Sequence, residues 1–115
     1  MANPKTALEL MKARYEAYVS GDIDFIKKTH DPKTAKGINW RDAEEWSKNS
    51  KWLGLEIVET VRGTQFDIDG IVEFKATYID LTTNEKIVHH ERSYFIKKGY
   101  NKYCNLSCKK SLLWY

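Results

Sequence analysis

The sequence predicts an α+β domain in which N-terminal helices pack on one face of a C-terminal antiparallel sheet. Apolar residues recur at helical spacing up to Lys48, and the spacing changes to alternation after Trp52. Turn-forming residues then separate the alternating segments, as expected for strands joined by hairpins. Helices followed by hairpin-linked strands are typical of the α+β class.

Length and composition indicate one domain that spans residues 1–115. The chain is 42% hydrophobic and 13% aromatic, which is enough to bury roughly two-thirds of its unfolded surface. Nineteen basic and 16 acidic residues leave a net charge of +3, too small an excess to predict a nucleic-acid or membrane partner. No apolar run reaches the roughly 18 residues of a membrane span, and the polar start does not resemble a signal peptide. We therefore expect a cytoplasmic protein.

Capping residues predict where the first two helices begin and end. Asn3 is predicted to cap a helix that begins at Pro4, and Gly21 suits the left-handed position that ends it. Asp22 is predicted to cap a second, short helix. That helix closes at Asp31, because a residue before proline avoids the helical region.

A third helix and a set of strands are predicted in the rest of the chain. Asn39 is the predicted cap of the third helix. Its apolar face carries Trp40, Ala43 and Trp46. In the first strand, Ile57 and Glu59 are predicted to share a face, because side chains two apart point the same way. Alternation predicts strands at residues 55–62, 72–78, 86–97 and, more weakly, 100–106.

The long third strand carries the most informative chemistry. If Phe95 faces the core, alternation places the carboxyl group of Glu91 on the same inner face. Burying an unpaired charge is unfavourable, so this group needs a cation, hydrogen-bond donors or a raised pKa. Arg14 on the first helix is the nearest plausible cation. The inner face of this strand also carries Ile87, His89 and Ser93.

Two interpretations of Glu91 stay open. In the structural one, Glu91, Ser93 and Arg14 form a polar network that ties the first helix to the sheet. In the functional one, Glu91 is a base or a ligand anchor in a pocket. Ion-pair networks perturb acids as readily as active sites do, so the structural interpretation is favoured. The predicted pocket or network residues are Arg14, Tyr15, Tyr18, Trp52, His89, Glu91 and Ser93.

His30 and Asp31 are a further candidate for proton transfer. Such a pair at a pocket rim can act as general acid or base, but adjacent residues at a helix end usually point apart, which favours a role outside catalysis. Aromatic residues are a second open question, since at helical spacing they belong to the core more often than to a pocket. The aromatic residues concerned are Tyr15, Tyr18, Trp40, Trp46 and Trp52.

Metal and nucleotide chemistry receive no support from the sequence. Cys104 and Cys108 have neither a second cysteine pair nor a histidine pair at the spacing of a zinc site. The sequence also has no glycine-rich phosphate loop and no nucleophile elbow. We therefore expect no metal and no cofactor.

Several blocks of the sequence, in order, resemble the bacterial YchJ-like family. The resemblance spans about residues 7–98 and rests on the blocks together rather than on any one of them. It implies a nuclear-transport-factor-2-like (NTF2-like) fold of the cystatin-like superfamily, in which a curved sheet wraps around helices and leaves a conical pocket. The blocks are LMKARYEAYV at 10–19, GDIDFI at 21–26, Thr-x-x-Pro at 29–32, WLGLEI at 52–57, VEFKA at 72–76 and ERSYF at 91–95.

The chain departs from the family pattern in three places. Family members usually carry a cysteine-rich SEC-C zinc motif at one or both ends, and its absence here means that zinc is not carried over. Where the family tends to have Trp-His before the proline, this chain has His30 and Asp31. The last strand of the family reads like Trp-Tyr-Tyr-Val-Asp-Gly, whereas this chain differs over residues 103–108.

The resemblance implies a small binding or interaction domain with a pocket between helices and sheet, whose partner is a small molecule or a protein. The alternative is a small pocket enzyme of the isomerase or dehydratase type, in which Glu91 or the His30 and Asp31 pair moves protons. Fold alone does not choose between them.

A homodimer is expected through the outer face of the sheet. That face carries Tyr94 and Ile96 among polar neighbours. A two-fold contact needs one self-complementary patch, in which Glu73 meets Lys75 or Arg92 of the second chain.

Overall fold

Three helices precede a four-stranded antiparallel sheet in the part of the chain that the structure describes, which confirms the α+β class. A computed structural model of the chain describes residues 6–30, 36–64, 66–98 and 102–105. The strands follow one another across the sheet in chain order. None of the described helices is long and apolar enough to cross a membrane. The elements are α1 (Ala7–Ser20), α2 (Ile23–Lys28), α3 (Trp40–Lys48), β1 (Ser50–Arg62), β2 (Asp69–Asp80), β3 (Glu85–Lys98) and β4 (Lys102–Asn105).

Helix α1 begins later in the sequence than predicted. Its cap is Thr6, whose side chain accepts a hydrogen bond from the amide of Glu9 at 3.0 Å. The predicted cap, Asn3, lies outside the described residues. The predicted end is confirmed, because Gly21 has a φ of 82° and its amide bonds back into the helix.

Asp22 and Asn39 cap α2 and α3, as predicted. Each side chain accepts a hydrogen bond from a free amide of the first turn, which is the ordinary function of an N-cap. Helix α2 ends at Lys28 rather than at Asp31. Beyond this point the amide of His30 donates to the carbonyl of Lys27, three residues back instead of four, which is the tighter bonding common where a helix ends.

Strand β1 is longer and less regular than alternation predicted. It begins at Ser50, so Trp52 lies within the strand. Its pairing with β2 shifts between Trp52 and Gly54 and again between Ile57 and Glu59. The prediction that Ile57 and Glu59 share a face is therefore wrong, because an extra residue in one strand reverses the alternation beyond it. Such bulges also bend the strand and increase its twist.

The core lies between α1 and the inner face of the sheet, as predicted. The alternate residues of β2 are buried, and Phe95 of β3 has 1% of its surface exposed. Leu10 and Met11 of α1 pack against these side chains. A second apolar cluster joins the three helices and contains Ala17, Tyr18, Ile23, Ile26 and Ala43.

The start of α1 is attached to the ends of β1 and β2 at a close glycine contact. The amide of Ala7 donates to the carbonyl of Gly63 at 2.9 Å. Gly63 has a φ of 77°, which favours glycine. A Cβ on Gly70 would lie 2.4 Å from the Cα of Gly63, so the two backbones approach as closely as they do because neither residue has a side chain.

We expect Gly70→Ala to destabilise the fold by about 1–3 kcal/mol. The added carbon overlaps backbone atoms of Gly63, which cannot move without distorting the chain. Urea unfolding measures the change. The matched control is Gly54→Ala in β1, where an added Cβ meets no atom within 4 Å and the expected change is below about 0.5 kcal/mol. Equal unfolding midpoints for the two variants would contradict the prediction.

Candidate functional site

A cavity of about 50 Å³ lies between the helices and the inner face of the sheet. The three helices and the segment between α2 and α3 line one side, while β2 and β3 line the other and Trp52 of β1 contributes a ring. A water molecule needs roughly 10–15 Å³ of such volume. The cavity therefore holds about four water molecules, or a ligand group with four or five non-hydrogen atoms.

Glu91 is the acidic group of this cavity, and both of its oxygens have partners on its own strand. Its Oε1 lies 3.0 Å from Nε2 of His89, and its Oε2 accepts a hydrogen bond from the hydroxyl of Ser93. The side chains of Glu91 and His89 keep 10% and 19% of their surface exposed. Glu91 therefore faces inward and keeps a small exposed surface in the cavity.

Arg14 forms hydrogen bonds with the end of α2 rather than with the sheet. Its Nη1 donates to the carbonyl of Ile26 at 2.9 Å and to the hydroxyl of Thr29 at 2.7 Å. Its Nη2 lies 3.4 Å from Nδ1 of His30. The sequence analysis predicted a direct contact between Arg14 and Glu91. In the described hydrogen bonds, Arg14 instead connects α1 to the end of α2.

Aromatic rings form much of the cavity wall. Trp46 meets Tyr18 and Trp52 edge to face, with angles of 67° and 78° between the ring planes and centroid distances of 5.1 and 5.0 Å. Tyr15 meets Trp52 in the same way at 5.9 Å. Such edge-to-face contacts are favourable and restrict ring rotation. The sequence left open whether these residues belong to the core or to a pocket. In the structure the same rings pack against one another and line the cavity.

Backbone contacts hold this wall in position. The hydroxyl of Ser47 in α3 donates to the carbonyl of Tyr18 in α1 at 2.6 Å. The indole of Trp52 in turn donates to the carbonyl of Ser47 at 3.4 Å. Helices α1 and α3 and strand β1 are therefore linked beside the cavity.

The phenol of Tyr18 is kept protonated by its surroundings. Burial raises the pKa of Tyr18 well above its usual range, since the phenolate form would lose its hydration. The positive charge of Arg14 acts to lower this pKa, and the negative charge of Glu91 acts to raise it. At physiological pH Tyr18 is a neutral hydroxyl, able to donate a hydrogen bond.

All seven residues predicted for the pocket or network line this one cavity, and His30 lines it too. Asp31 and Cys108 lie outside the described residues, while Cys104 belongs to β4. Sequence reasoning missed Ser47 and Thr29, whose hydroxyls hold the helices together. It placed Phe74 and Ala76 on a predicted strand without indicating that they line a cavity. The other lining residues not proposed for the pocket from sequence are Met11, Ile26, Ile38 and Phe95.

On the outer face of the sheet, charged side chains are paired within the chain. Glu73 accepts a hydrogen bond from Arg92 at 2.9 Å and lies 2.6 Å from Nε2 of His90. Arg92 also donates to Glu59 at 3.1 Å. The hydrogen bonds from His90 and Arg92 lower the pKa of Glu73. Glu73 was expected to meet Arg92 of a second chain. In the structure Glu73 and Arg92 pair within one chain.

A curved antiparallel sheet covered on one face by three helices, with a cavity between them, defines an NTF2-like domain. Residues 6–105 match the family described as the YchJ middle NTF2-like domain. The chain therefore belongs to the YchJ-like family, as its sequence blocks predicted.

Two relatives support this membership. A UPF0225 protein of Geobacter sulfurreducens is 40% identical over 92 residues, which cover 80% of this chain and 56% of that protein. A UPF0225 protein of Serratia proteamaculans is 39% identical over 95 residues, covering 82% of this chain and 60% of that protein. The chain thus spans less than two thirds of the length of these curated relatives.

Two solved structures share the fold. The solution structure of a SEC-C motif containing protein from Rhodopseudomonas palustris superposes with a TM-score of 0.80 at 26% identity, covering 92% of this chain and 79% of that one. The crystal structure of a SEC-C motif containing protein from Psychrobacter arcticus gives 0.76 at 31% identity, covering 92% and 61%. These superpositions confirm the predicted fold.

We expect Glu91→Ala to lower the melting temperature by several degrees, because it leaves the buried hydroxyl of Ser93 without its acceptor. Losing one partner of a buried polar group costs about 1–3 kcal/mol. Glu91→Gln is the control, since its amide oxygen still accepts from Ser93 and its amide can donate to His89. Thermal unfolding followed by circular dichroism compares them, and an unchanged melting temperature for Glu91→Ala would remove the structural role.

Proposed function

We propose that this YchJ-like domain binds a small molecule in the cavity between its helices and its sheet, without transforming it. The observation that carries the proposal is that the carboxyl group of Glu91, with 10% of its side-chain surface exposed, lines a cavity with room for water-sized solutes. A carboxylate that served stability alone would be expected to lie in a sealed ion pair with a cation such as Arg14.

The energetics of burial support a binding role. Removing a carboxylate from water is unfavourable unless its oxygens are compensated. Glu91 is compensated by a hydroxyl and an imidazole, which leaves part of its hydrogen-bonding capacity directed to the cavity, since a carboxylate has about four acceptor positions. Ligand sites typically combine an apolar wall with a few such polar groups.

The aromatic wall supports the same function. Trp46 and Trp52 are half-buried, and their edge-to-face contacts hold them in place before any ligand arrives. A preorganised wall reduces the conformational entropy lost on binding. Tyr18, whose phenol stays protonated, lines the same cavity.

A proton-transfer enzyme of the isomerase or dehydratase type is the second candidate. The hydrogen bond between Glu91 and His89, with the neutral phenol of Tyr18 in the same cavity, favours it, because a base and a donor are the groups that such a reaction needs. His30 is occupied by its contact with Arg14, so Glu91 is the better base. Asp31 lies outside the described residues.

Filling the cavity tests the proposal. We expect Ala76→Leu to abolish binding, because Ala76 lines the cavity and the larger side chain occupies its volume. The matched control is Thr77→Leu, which adds its bulk at the next position of β2, on the opposite face of the sheet. A panel of neutral, cationic and anionic fragments with roughly five non-hydrogen atoms is titrated into each protein, and the indole proton resonances of Trp46 and Trp52 are followed by NMR.

At least one fragment is expected to shift these resonances in the wild type and in Thr77→Leu, but not in Ala76→Leu. If no fragment shifts them, or if the shifts persist when the cavity is filled, the proposal fails. A fragment that is chemically converted during the titration would instead assign the cavity to the enzyme candidate.

Assembly through the outer sheet face stays a prediction, with a second copy of the chain as the partner. Tyr94 and Val88 are about half exposed there, and Glu73 and Arg92 pair within one chain, so these two charges do not have to be buried unpaired when two such faces meet. We expect a dimer mass by size-exclusion chromatography with light scattering, and a monomer for Tyr94→Glu with an unchanged circular dichroism spectrum. A monomer mass for the wild type at tens of micromolar would refute the prediction.

A further inference from the structure

The cavity combines an acceptor-only group with electron-rich rings. Glu91 offers lone pairs beyond those used by Ser93 and His89. The ring of Trp46 lies 5.6 Å from the imidazole of His89, which itself contacts Glu91, so the aromatic wall and the carboxyl group are adjacent. Both features attract positive charge, because the faces of aromatic rings carry negative potential.

The other charge of the cavity is already engaged. Both terminal nitrogens of Arg14 contact the end of α2, through Ile26, Thr29 and His30. An anion at this guanidinium would have to compete with these contacts, whereas a cation at Glu91 displaces none of them. The charge arrangement therefore favours a cationic ligand over an anionic one.

The size of the cavity narrows the class of cation. A volume of about 50 Å³ admits four or five non-hydrogen atoms, the size of a small alkylammonium group. A bare metal ion is a poorer fit, since divalent cations require several ligands, and the described residues contain no group of three or more His, Cys, Asp or Glu side chains that could hold one.

We propose that the cavity binds a small alkylammonium ion, with its positive charge against Glu91 and its carbon atoms against the rings of Tyr18, Trp46 and Trp52. This inference rests on the proposed small-molecule function and adds the class of ligand. Ion pairing and cation–π attraction act together at one site that is partly removed from water, where such attraction is strongest.

Three compounds of nearly one shape test the charge preference. They are propylammonium, the neutral 1-propanol and the anion propionate, all small enough for the cavity, each titrated into the complete chain while the indole proton resonances of Trp46 and Trp52 are followed. We expect the ammonium ion to bind at least about tenfold more tightly than the alcohol, and propionate to bind most weakly. The preference should persist at physiological salt, because a partly buried pair is screened less than a surface pair.

Two variants locate the effect. Glu91→Gln preserves the shape of the side chain but removes its charge. Because the charge pair is lost, the preference for ammonium over alcohol should fall to about twofold or less. Its fold is checked by circular dichroism. Glu85→Gln removes one negative charge from the exposed start of the same strand and should leave the preference unchanged.

The outcomes separate this inference from the proposed function. Alcohol or propionate binding as tightly as the ammonium ion, or a preference that survives in Glu91→Gln, would overturn the alkylammonium assignment and leave the cavity as a ligand site. If none of the three compounds shifts the resonances, the assignment also fails, and the proposed function then stands or falls with the broader fragment panel and Ala76→Leu.

Discussion

The buried guanidinium group of Arg14 is the constraint on which the helical layer depends. Only 6% of this residue is exposed, and a charge at such depth is tolerated when hydrogen-bond acceptors surround it. The acceptors come from Ile26 and Thr29 at the end of α2. A helix of six residues is unstable in isolation, so this attachment to α1 and the burial of its apolar side chains hold it in place. Through α2, Arg14 also positions His30 beside the ring of Trp40 in α3.

The sheet supplies the complementary constraint. Two irregularities in the pairing of β1 with β2 bend β1, and Trp52 lies beside the first of them. The ring of Trp52 contacts Tyr15 and Tyr18 of α1 and Trp46 of α3. A bent sheet under helices whose positions are set by Arg14 leaves volume that the side chains do not fill. The cavity lies between the helices and the sheet, with Arg14 on its helical side and Glu91 on its sheet side.

Local signals predicted most of the secondary structure, and the errors have identifiable causes. Asp22, Asn39 and Gly21 were correctly identified because a cap acts on backbone groups within one turn. The start of α1 was wrong because Asn3 and Thr6 both carry capping side chains, and only the docking of α1 against the sheet chooses between them. The reversal of faces beyond Ile57 depends on register against another strand, so β1 alone carries no sign of it.

Part of the candidate site could likewise be predicted from the sequence, and part could not. Alternation along β3 was sufficient to place His89, Glu91 and Ser93 on one inner face, because side-chain direction in a strand depends on position alone. The partners of Arg14 were not predictable, since several acceptors lie within reach of a long side chain and the helix packing selects among them. The sequence by itself determined the fold class, the inward chemistry of β3 and the aromatic character of the helices. Only the tertiary structure decided that these groups surround an open volume, because a cavity is a property of how bent and packed elements fail to fill space, and no single segment encodes it.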